Sequence, residues 1–299
     1  MAGELISIGL SVADHLWLCD EPLRGTCRPA ADYLPQGGGL AATAAVAMAR
    51  LGGHAEVWTR VGDDPAGSFI LDQFAHEGVD TSQVRVCQGG RSPVCAVTVD
   101  RPSGDRTFTY FPGRGLDPSP EGLDLGRIDG AKAVLVDCFW PEAQLAAARR
   151  ARAAGVPVCA DVEDTTTLPE ELLALVDYPI YSLEFAQRHG GTGSVERDLA
   201  KVAELGGRVP MVTLGADGCI WLHEGRVHRC PAFRVDVVDT TGCGDVFHGA
   251  FTFGLAQGWA VARIARFASA CAALKCRALG GRTAIPSRTE VDAFLAAHP

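Results

Sequence analysis

The chain has 299 residues, a formal net charge of −9 and a pI near 5.4. Its length suits one large α/β domain over residues 1–299, and its acidity and lack of basic runs exclude nucleic acid as an expected partner. Its eleven cysteines lack a C-x-x-C pair, which argues against a zinc ribbon or disulfide framework, and most are expected to be buried thiols of a cytoplasmic protein. No apolar run approaches the roughly 18 to 20 residues of a membrane span, and no basic leader precedes Glu4, so no membrane partner is expected.

Short apolar runs alternate with helical patterns along most of the chain. The runs predict buried strands at residues 5–10, 54–61, 133–137, 157–161 and 210–214. The helical patterns lie at residues 40–51, 66–76, 143–154, 168–175 and 195–205. Such alternation favours right-handed crossovers and a mostly parallel sheet with helices on both faces. Ligands should then bind beyond the carboxyl ends of the strands.

Two regions interrupt this order, approximately residues 12–35 and 92–112. Within them apolar and polar residues alternate, as in Cys95–Val99 and Thr107–Tyr110. This period is typical of antiparallel strands with one face in water. The two regions therefore predict a small second sheet.

The most informative segment is Asp239-Thr240-Thr241-Gly242-Cys243-Gly244-Asp245, which leads into the apolar pattern Val246–Phe251. It predicts a tight turn with unpaired N–H groups at the start of a helix, which is a binding site for an anion. A carboxylate beside an anion is unfavourable for binding alone. Asp245 is therefore interpreted as the general base that takes a proton from an alcohol attacking a phosphoryl group.

Other phosphate-binding motifs are absent from the sequence. It has no Gly-Lys pair for a P-loop, no Val-Ala-Ile-Lys or His-Arg-Asp segment of a protein kinase, and no Gly-x-Gly-x-x-Gly after the first strand. If the chain handles phosphate, the backbone amides of Gly242, Cys243 and Gly244 should hold the charge that develops during transfer.

The segment 239–251 resembles the signature of the PfkB (ribokinase-like) carbohydrate kinases. Three further blocks are similar to that family in order and spacing, so the resemblance covers nearly the whole chain: Gly37-Gly38-Gly39 before an alanine-rich helix, Val61-Gly62-Asp63-Asp64, and Thr213-Leu214-Gly215-Ala216-Asp217-Gly218. Residues 239–251 and 272–286 look most like the ketose and sulfofructose kinase branch. The resemblance implies a ribokinase-like three-layer α/β/α fold, a small β-sheet lid made of the two alternating regions, and a homodimer formed through the lids.

The resemblance also implies a set of site residues. Asp14, Gly38, Gly39, Thr43, Tyr110 and Phe139 would bind the sugar. Thr213, Gly215, Gly218, Ser269 and Ala272 would line the ATP groove, and Glu184 and Asp239 would serve metal ions. The implied cofactors are ATP and Mg²⁺ and, as in many members, a potassium ion beside the anion turn, held by Asp239 and carbonyls near Gly280.

Four positions depart from the family pattern. Thr43 and Tyr181 each stand where asparagine is common, and Cys243 replaces an alanine without altering its backbone N–H. Ala284 lacks the side-chain oxygen often supplied to potassium, which puts activation by that ion in question. Because Tyr181 replaces an asparagine of the Asn-x-x-Glu block, the magnesium role of Glu184 is weakened.

The identity of the acceptor is the least determined part. Cys27, Tyr110 and Phe139 are expected at the rim and none is basic, which favours ATP-dependent phosphorylation of a primary hydroxyl on a small neutral sugar over a sulfofructose or phosphosugar substrate. Arg106 and Arg282 are expected to be ordinary surface charges. The aromatic rim also leaves a nucleoside kinase open, and a catalytically silent sugar-binding paralogue is the alternative from another class.

Overall fold

The computed structural model describes residues 4–20, 27, 29–101, 106–163 and 170–298. The strands in chain order are β1 (Leu5–Ile8), β2 (Val12–Cys19), β3 (Asp32–Gly38), β4 (Ala55–Trp58), β5 (Arg60–Gly62), β6 (Arg85–Cys87), β7 (Val94–Asp100), β8 (Arg106–Phe111), β9 (Ala133–Val136), β10 (Val158–Val162), β11 (Tyr178–Ser182), β12 (Met211–Thr213), β13 (Cys219–His223) and β14 (Arg226–Cys230). The helices are α1 (Leu40–Arg50), α2 (Pro65–Glu77), α3 (Pro141–Ala154), α4 (Glu170–Leu173), α5 (Leu183–Gly190), α6 (Val195–Ala203), α7 (Cys243–Ala256), α8 (Val261–Lys275) and α9 (Arg288–Ala297).

The large sheet has eight strands in the order β14-β13-β12-β11-β10-β9-β1-β4. From β4 to β12 neighbouring strands run parallel, and β13 and β14 add an antiparallel edge. Successive residues of β1 enter two different buried clusters, Leu5 on one face and Ile6 on the other. Because both faces are covered, the parallel strands are mostly apolar, with Glu56 in β4 and Asp161 in β10 as buried acidic exceptions. The predicted ribokinase-like α/β fold with a mostly parallel sheet is confirmed.

Several element boundaries differ from the sequence prediction. The strand predicted at 54–61 is two strands, β4 and β5, and β5 pairs with β6 in a separate two-stranded sheet. Helix α2 extends over Pro65–Glu77; the side chain of Asp64 accepts a hydrogen bond from the N–H of Gly67 at its start, and Gly78 ends it in a left-handed conformation. Of the helix predicted at 168–175, residues 168 and 169 lie outside the described part, and α4 covers only Glu170–Leu173.

The two alternating regions form a four-stranded sheet in the order β3-β2-β7-β8, hereafter the lid sheet. It buries its own apolar cluster of Val12, Leu16, Cys95, Val97 and Val99, which packs against Leu279 of the C-terminal segment. The lid sheet thus joins the large sheet near the carboxyl end of β1. Among the described residues no helix is long and apolar enough to cross a membrane.

Candidate active site

The anion turn connects β14 to α7 and ends at Gly242, which caps the helix in a left-handed conformation with φ of 73°. A Cβ there would lie 2.9 Å from the carbonyl oxygen of Gly281, so glycine is required both for conformation and for space. The Asp239 carboxylate accepts hydrogen bonds from the N–H of Thr241 at 2.8 Å and, through its other oxygen, from the N–H of Gly280 at 2.8 Å. The turn is therefore fixed to the C-terminal segment before any ligand arrives.

The three amides predicted to hold phosphate are not equivalent. The N–H of Cys243 donates to the carbonyl of Thr240 at 3.2 Å, so it closes the turn and is occupied. Within the described part of the chain, the N–H groups of Gly242 and Gly244 have no backbone acceptor. The expected role of the Cys243 amide is thus corrected, and the cradle consists of Gly242, Gly244 and the first turn of α7.

Asp245 is half-buried in that first turn. Burial raises its pKa well above the ordinary range, and the nearby charges of Glu163, Cys243 and Asp14 raise it further. Burial followed by the charges of Glu163 and Asp245 likewise raises the pKa of Asp161. Acids from β2, the end of β10 and α7 therefore share one pocket. Asp161 and Glu163 were not predicted as site residues, although both lie at the carboxyl end of an apolar run.

His248 supports this corner from inside α7. Its Nδ1 lies 2.6 Å from the carbonyl oxygen of Gly244 and 3.2 Å from Oδ2 of Asp161. Burial lowers the pKa of His248 to about 4, so the ring is neutral and Nδ1–H donates. The histidine thereby orients the peptide that follows Gly244.

Asp14 faces the pocket from the lid sheet. A cross-strand row of Gln36, Asp14, Cys95 and Tyr110 lies on one face of the sheet, because these residues are paired in register on β3, β2, β7 and β8. Burial raises the pKa of Asp14 to about 7, against the lowering effect of the Arg282 charge. A Cβ at Gly38 would lie 1.8 Å from Oδ2 of Asp14. Glycine at 38 is therefore what allows the carboxylate to stand there.

Two other residues predicted to bind sugar are Tyr110, at the end of this row, and Phe139. Tyr110 is 41% exposed on the edge strand β8, and burial of the rest of the ring, together with the charge of Asp137, raises its pKa to about 12. Phe139 is half-buried just beyond β9, where its carbonyl accepts a hydrogen bond from Arg60 at 3.1 Å. Cys27, placed at the rim in the prediction, is exposed.

The expectation that Arg282 is a surface charge is wrong. Its side chain is 1% exposed and runs along the free edge of β3. Nη2 donates to the carbonyl of Gly38 at 3.0 Å and Nε donates to Oγ1 of Thr43 at 3.3 Å, while the ring of Phe74 lies 5.4 Å from the guanidinium carbon. Thr43 itself is 1% exposed, so its hydroxyl holds Arg282 instead of projecting into the pocket. The short threonine leaves the space that this arginine fills.

Asp137 is a further residue that sequence reasoning did not place at the site. Its carboxylate accepts hydrogen bonds from the N–H groups of Leu10 at 2.7 Å, Ala41 at 3.1 Å and Phe139 at 2.9 Å, and from Nε2 of Gln144 at 2.9 Å. It therefore fixes the start of α1 to the carboxyl ends of β1 and β9. Its position directly after the strand Ala133–Val136 was the signal that sequence reasoning left unused.

On the predicted nucleotide side, Thr213 ends β12 and its hydroxyl lies 3.4 Å from the carbonyl oxygen of Tyr181. Gly215 opens an exposed turn of 3-10 helix that Gly218 closes at φ of 93°. Ala272 is half-buried on α8. Ser269 is buried, with its hydroxyl 3.9 Å from Sγ of Cys230, so its polar group serves the packing of α8 on β14.

The two residues expected to serve metal ions differ in surroundings. Glu184 is exposed in the first turn of α5, whereas the carboxylate of Asp239 is fully buried and occupied by the donors of the anion turn. Among the described residues, no group of three or more His, Cys, Asp or Glu side chains could hold a metal ion. Mg²⁺ bound to ATP keeps much of its coordination from phosphate and water, and Glu184 can serve such an ion through water.

The chain is similar to known carbohydrate kinases in sequence and in structure. The family described as pfkB family carbohydrate kinase matches residues 4–288. The chain is 35% identical over 288 residues to aminoimidazole riboside kinase of Salmonella typhimurium, covering 89% of this chain and 90% of that protein. It is 30% identical over 295 residues to a fructokinase of Klebsiella pneumoniae, covering 88% and 96%. Arabidopsis thaliana ribokinase, solved with ribose and ATP, matches the structure with a TM-score of 0.86 and 26% identity over 99% of each chain.

Proposed function

Because the chain belongs to the pfkB family of carbohydrate kinases, and is therefore a phosphotransferase that acts on sugar hydroxyls, we propose that it transfers the γ-phosphoryl group of ATP to a primary hydroxyl of a small neutral sugar. The observation that carries the proposal is the position of Asp245, a carboxylate of raised pKa next to the amides of Gly242 and Gly244, which have no backbone acceptor within the described part of the chain. A binding protein has no use for a base at an anion site.

Asp245 acts as the general base. Its raised pKa brings its proton affinity closer to that of the attacking hydroxyl. The amides of Gly242 and Gly244 and the positive end of α7 stabilise the charge that develops on the transferring group. Asp14 accepts hydrogen bonds from sugar hydroxyls and so orients the acceptor between the lid sheet and α7. Gly39 and Gly38 allow the sugar to lie against backbone.

A neutral acceptor follows from the charges that line the pocket. Asp14 and Asp245 both face it, and each raises the cost of placing another anion beside them. The cross-strand row of the lid sheet contains no basic residue, and Arg282 uses Nε and Nη2 to bind the hydroxyl of Thr43 and the carbonyl of Gly38. A sulfonate or phosphate on the acceptor would therefore lack the cationic partner that it needs.

Five further features belong to the proposal. Mg²⁺ enters with ATP near Glu184, and Thr213, Gly215, Gly218, Ser269 and Ala272 line the nucleotide groove, Ser269 through its backbone. The chain is a single kinase domain over 1–299 with the lid sheet inserted in it. Homodimerisation through the lid is supported by exposed aromatic side chains on its two faces, Phe108 on one and Tyr33 on the other. A cytoplasmic location is supported by eleven free thiols, most of them buried.

The test is coupled ADP release over a panel of ketoses, aldoses, ribosides, phosphosugars and sulfosugars. Neutral sugars should turn over, and nuclear magnetic resonance of the product should place the phosphate on a primary carbon. Asp245→Asn should remove turnover while sugar still binds and thermal unfolding is unchanged. A preference for phosphosugars would refute the neutral acceptor, a preference for ribosides would favour the nucleoside kinase, and sugar binding without turnover would favour a silent paralogue.

A further inference from the structure

Lys275 lies in the last turn of α8 and has no role in the kinase mechanism proposed above. It is one of three lysines in the chain and its side chain is 0% exposed. Its Nζ donates to the main-chain carbonyl oxygen of Asp239 at 2.8 Å, at the first residue of the anion turn. A lysine at a helix C-terminus ordinarily extends to solvent; this one turns inward beneath the phosphate site.

A buried ammonium is unfavourable unless negative groups surround it. Burial lowers the pKa of Lys275, while the charges of Asp239, Cys276 and Cys243 act in the opposite direction. The ammonium thus rests among a carbonyl oxygen, a carboxylate and thiols, all within or against the anion turn. Such surroundings are those of a bound monovalent cation.

Potassium is the ion expected there from the resemblance, with Asp239 and carbonyls near Gly280 as its ligands. The residues present do not fit it. One of those ligand groups, the Asp239 residue, already has its carbonyl bonded to Lys275 and its carboxylate bonded to Thr241 and Gly280. Ala284 offers no side-chain oxygen.

We propose that the ammonium of Lys275 takes the place of a bound potassium ion, so that phosphoryl transfer by this chain needs no monovalent metal ion. The inference rests on the proposed kinase function. Lys275 is a positioning residue: it touches neither substrate. It fixes the peptide of Asp239 and adds a positive charge at the first residue of the anion turn, near where charge develops on the transferring phosphoryl group.

The first measurement uses the unmodified protein and its best sugar. Turnover is compared in potassium, sodium, lithium and caesium chloride and in a bulky organic cation, all at one ionic strength. We expect kcat to differ by less than about twofold among them, since the site is filled by the chain itself. A rise of tenfold or more that is specific to potassium would overturn the proposal.

The second measurement removes the charge. Lys275→Met keeps the length of the side chain, and Lys201→Met, at an exposed lysine paired with Glu204, is the matched control. Lys275→Met should lose on the order of tenfold to a hundredfold in kcat with KM for the sugar little changed. In Lys275→Ala, ammonium, methylammonium or potassium should restore part of kcat, whereas none should affect Lys201→Met. Full activity in Lys275→Met would contradict the assignment.

Thermal unfolding keeps the proposal testable if the Lys275 variants do not fold or if the unmodified chain phosphorylates no sugar on the panel. The unmodified protein should show the same Tm in potassium and in the organic cation, because a filled site gains nothing from the ion. A potassium-specific increase in Tm would overturn the assignment of Lys275. Absence of turnover with an ion-independent Tm would instead count against the kinase proposal alone.

Discussion

Gly244 allows the phosphate site to be tested with one methyl group. It lies in the first turn of α7, and no described atom lies within 4 Å of the position that a Cβ there would occupy. Its backbone is not in the left-handed region, so alanine fits the conformation without strain. Gly244→Ala therefore introduces no clash within the protein. The methyl group enters the open space beside the amides of the turn, which is where the transferring phosphoryl group should lie.

Gly244→Ala should change stability and kcat in opposite directions. Alanine is favoured over glycine in a helix by up to about 1 kcal/mol, because glycine loses more backbone freedom on folding. For a chain of this size that corresponds to a Tm higher by at most about 2–4 °C. If the methyl displaces the phosphoryl group from even one amide, kcat should fall by roughly 10²–10³. The variant should thus be as stable as the parent, or more so, and nearly inactive.

The assay pairs thermal unfolding with coupled ADP release at saturating sugar. Gly130→Ala is the matched control: it makes the same change at an exposed glycine, also with no atom within 4 Å, at the end of the 3-10 helix Leu125–Gly130. It should leave kcat unchanged. Gly244→Ala with normal stability and full activity would show that the open space beside Gly244 is not the phosphate site.

Three further predictions concern the pocket. Gly38→Ala should displace the Asp14 carboxylate, because the new Cβ would lie 1.8 Å from its Oδ2. The KM for sugar should rise at least about tenfold while the affinity for ATP is unchanged. Equal losses of affinity for sugar and ATP would point to misfolding. A hydrogen bond from Cys276 lowers the pKa of Cys243 to about 6, so the rate at which iodoacetamide inactivates the kinase should rise as the pH passes through that value. Cys243→Ala should be active and resistant to iodoacetamide. Resistance in Cys27→Ala would contradict the assignment to Cys243. Burial raises the pKa of Asp14 to about 7, so protonated Asp14 contributes to the stability of the ligand-free protein fully below pH ~4, and this contribution is lost as pH rises to ~7. In urea titrations, Asp14→Asn should therefore be more stable than the parent at pH 8 but not at pH 4. An equal difference in stability at both pH values would exclude this cause.

The sequence predicted the architecture because periodicity reports burial by regular elements. Leu40–Arg50 and Pro65–Glu77 agree with the helices expected at 40–51 and 66–76. The lid sheet followed from alternation of apolar and polar residues. Its strands lie within the two regions predicted, except that β3 continues beyond residue 35 to Gly38. The predicted element boundaries were wrong where the backbone departs from a regular strand, as at the break between β4 and β5.

The environments of individual side chains could not be predicted from sequence periodicity. Arg282 and Lys275 are charged residues in a chain with a polar surface, and nothing in their local pattern distinguishes a buried cation from an exposed one. Their burial depends on Gly38 and Asp239, which lie far away in sequence. The occupied N–H of Cys243 was missed for a related reason: a sequence motif shows how many amides a turn contains, but the hydrogen bond to Thr240 depends on the turn's geometry.

Two buried cations lie behind the acidic pocket, and under the proposed function the one on the phosphate side favours binding of the phosphates of ATP. Arg282 lies behind the sugar side, bonded to the carbonyl of Gly38, and Lys275 lies behind the phosphate side, bonded to the carbonyl of Asp239. Both belong to one eight-residue stretch, which the N–H of Gly280 ties to the Asp239 carboxylate. Lys275 need not touch ATP, because a fixed charge in a poorly hydrated interior acts over several ångströms. Under the proposed function, backbone amides replace a phosphate-binding lysine, and Lys275, bonded to the first residue of the turn, supplies the positive charge that the amides alone would lack.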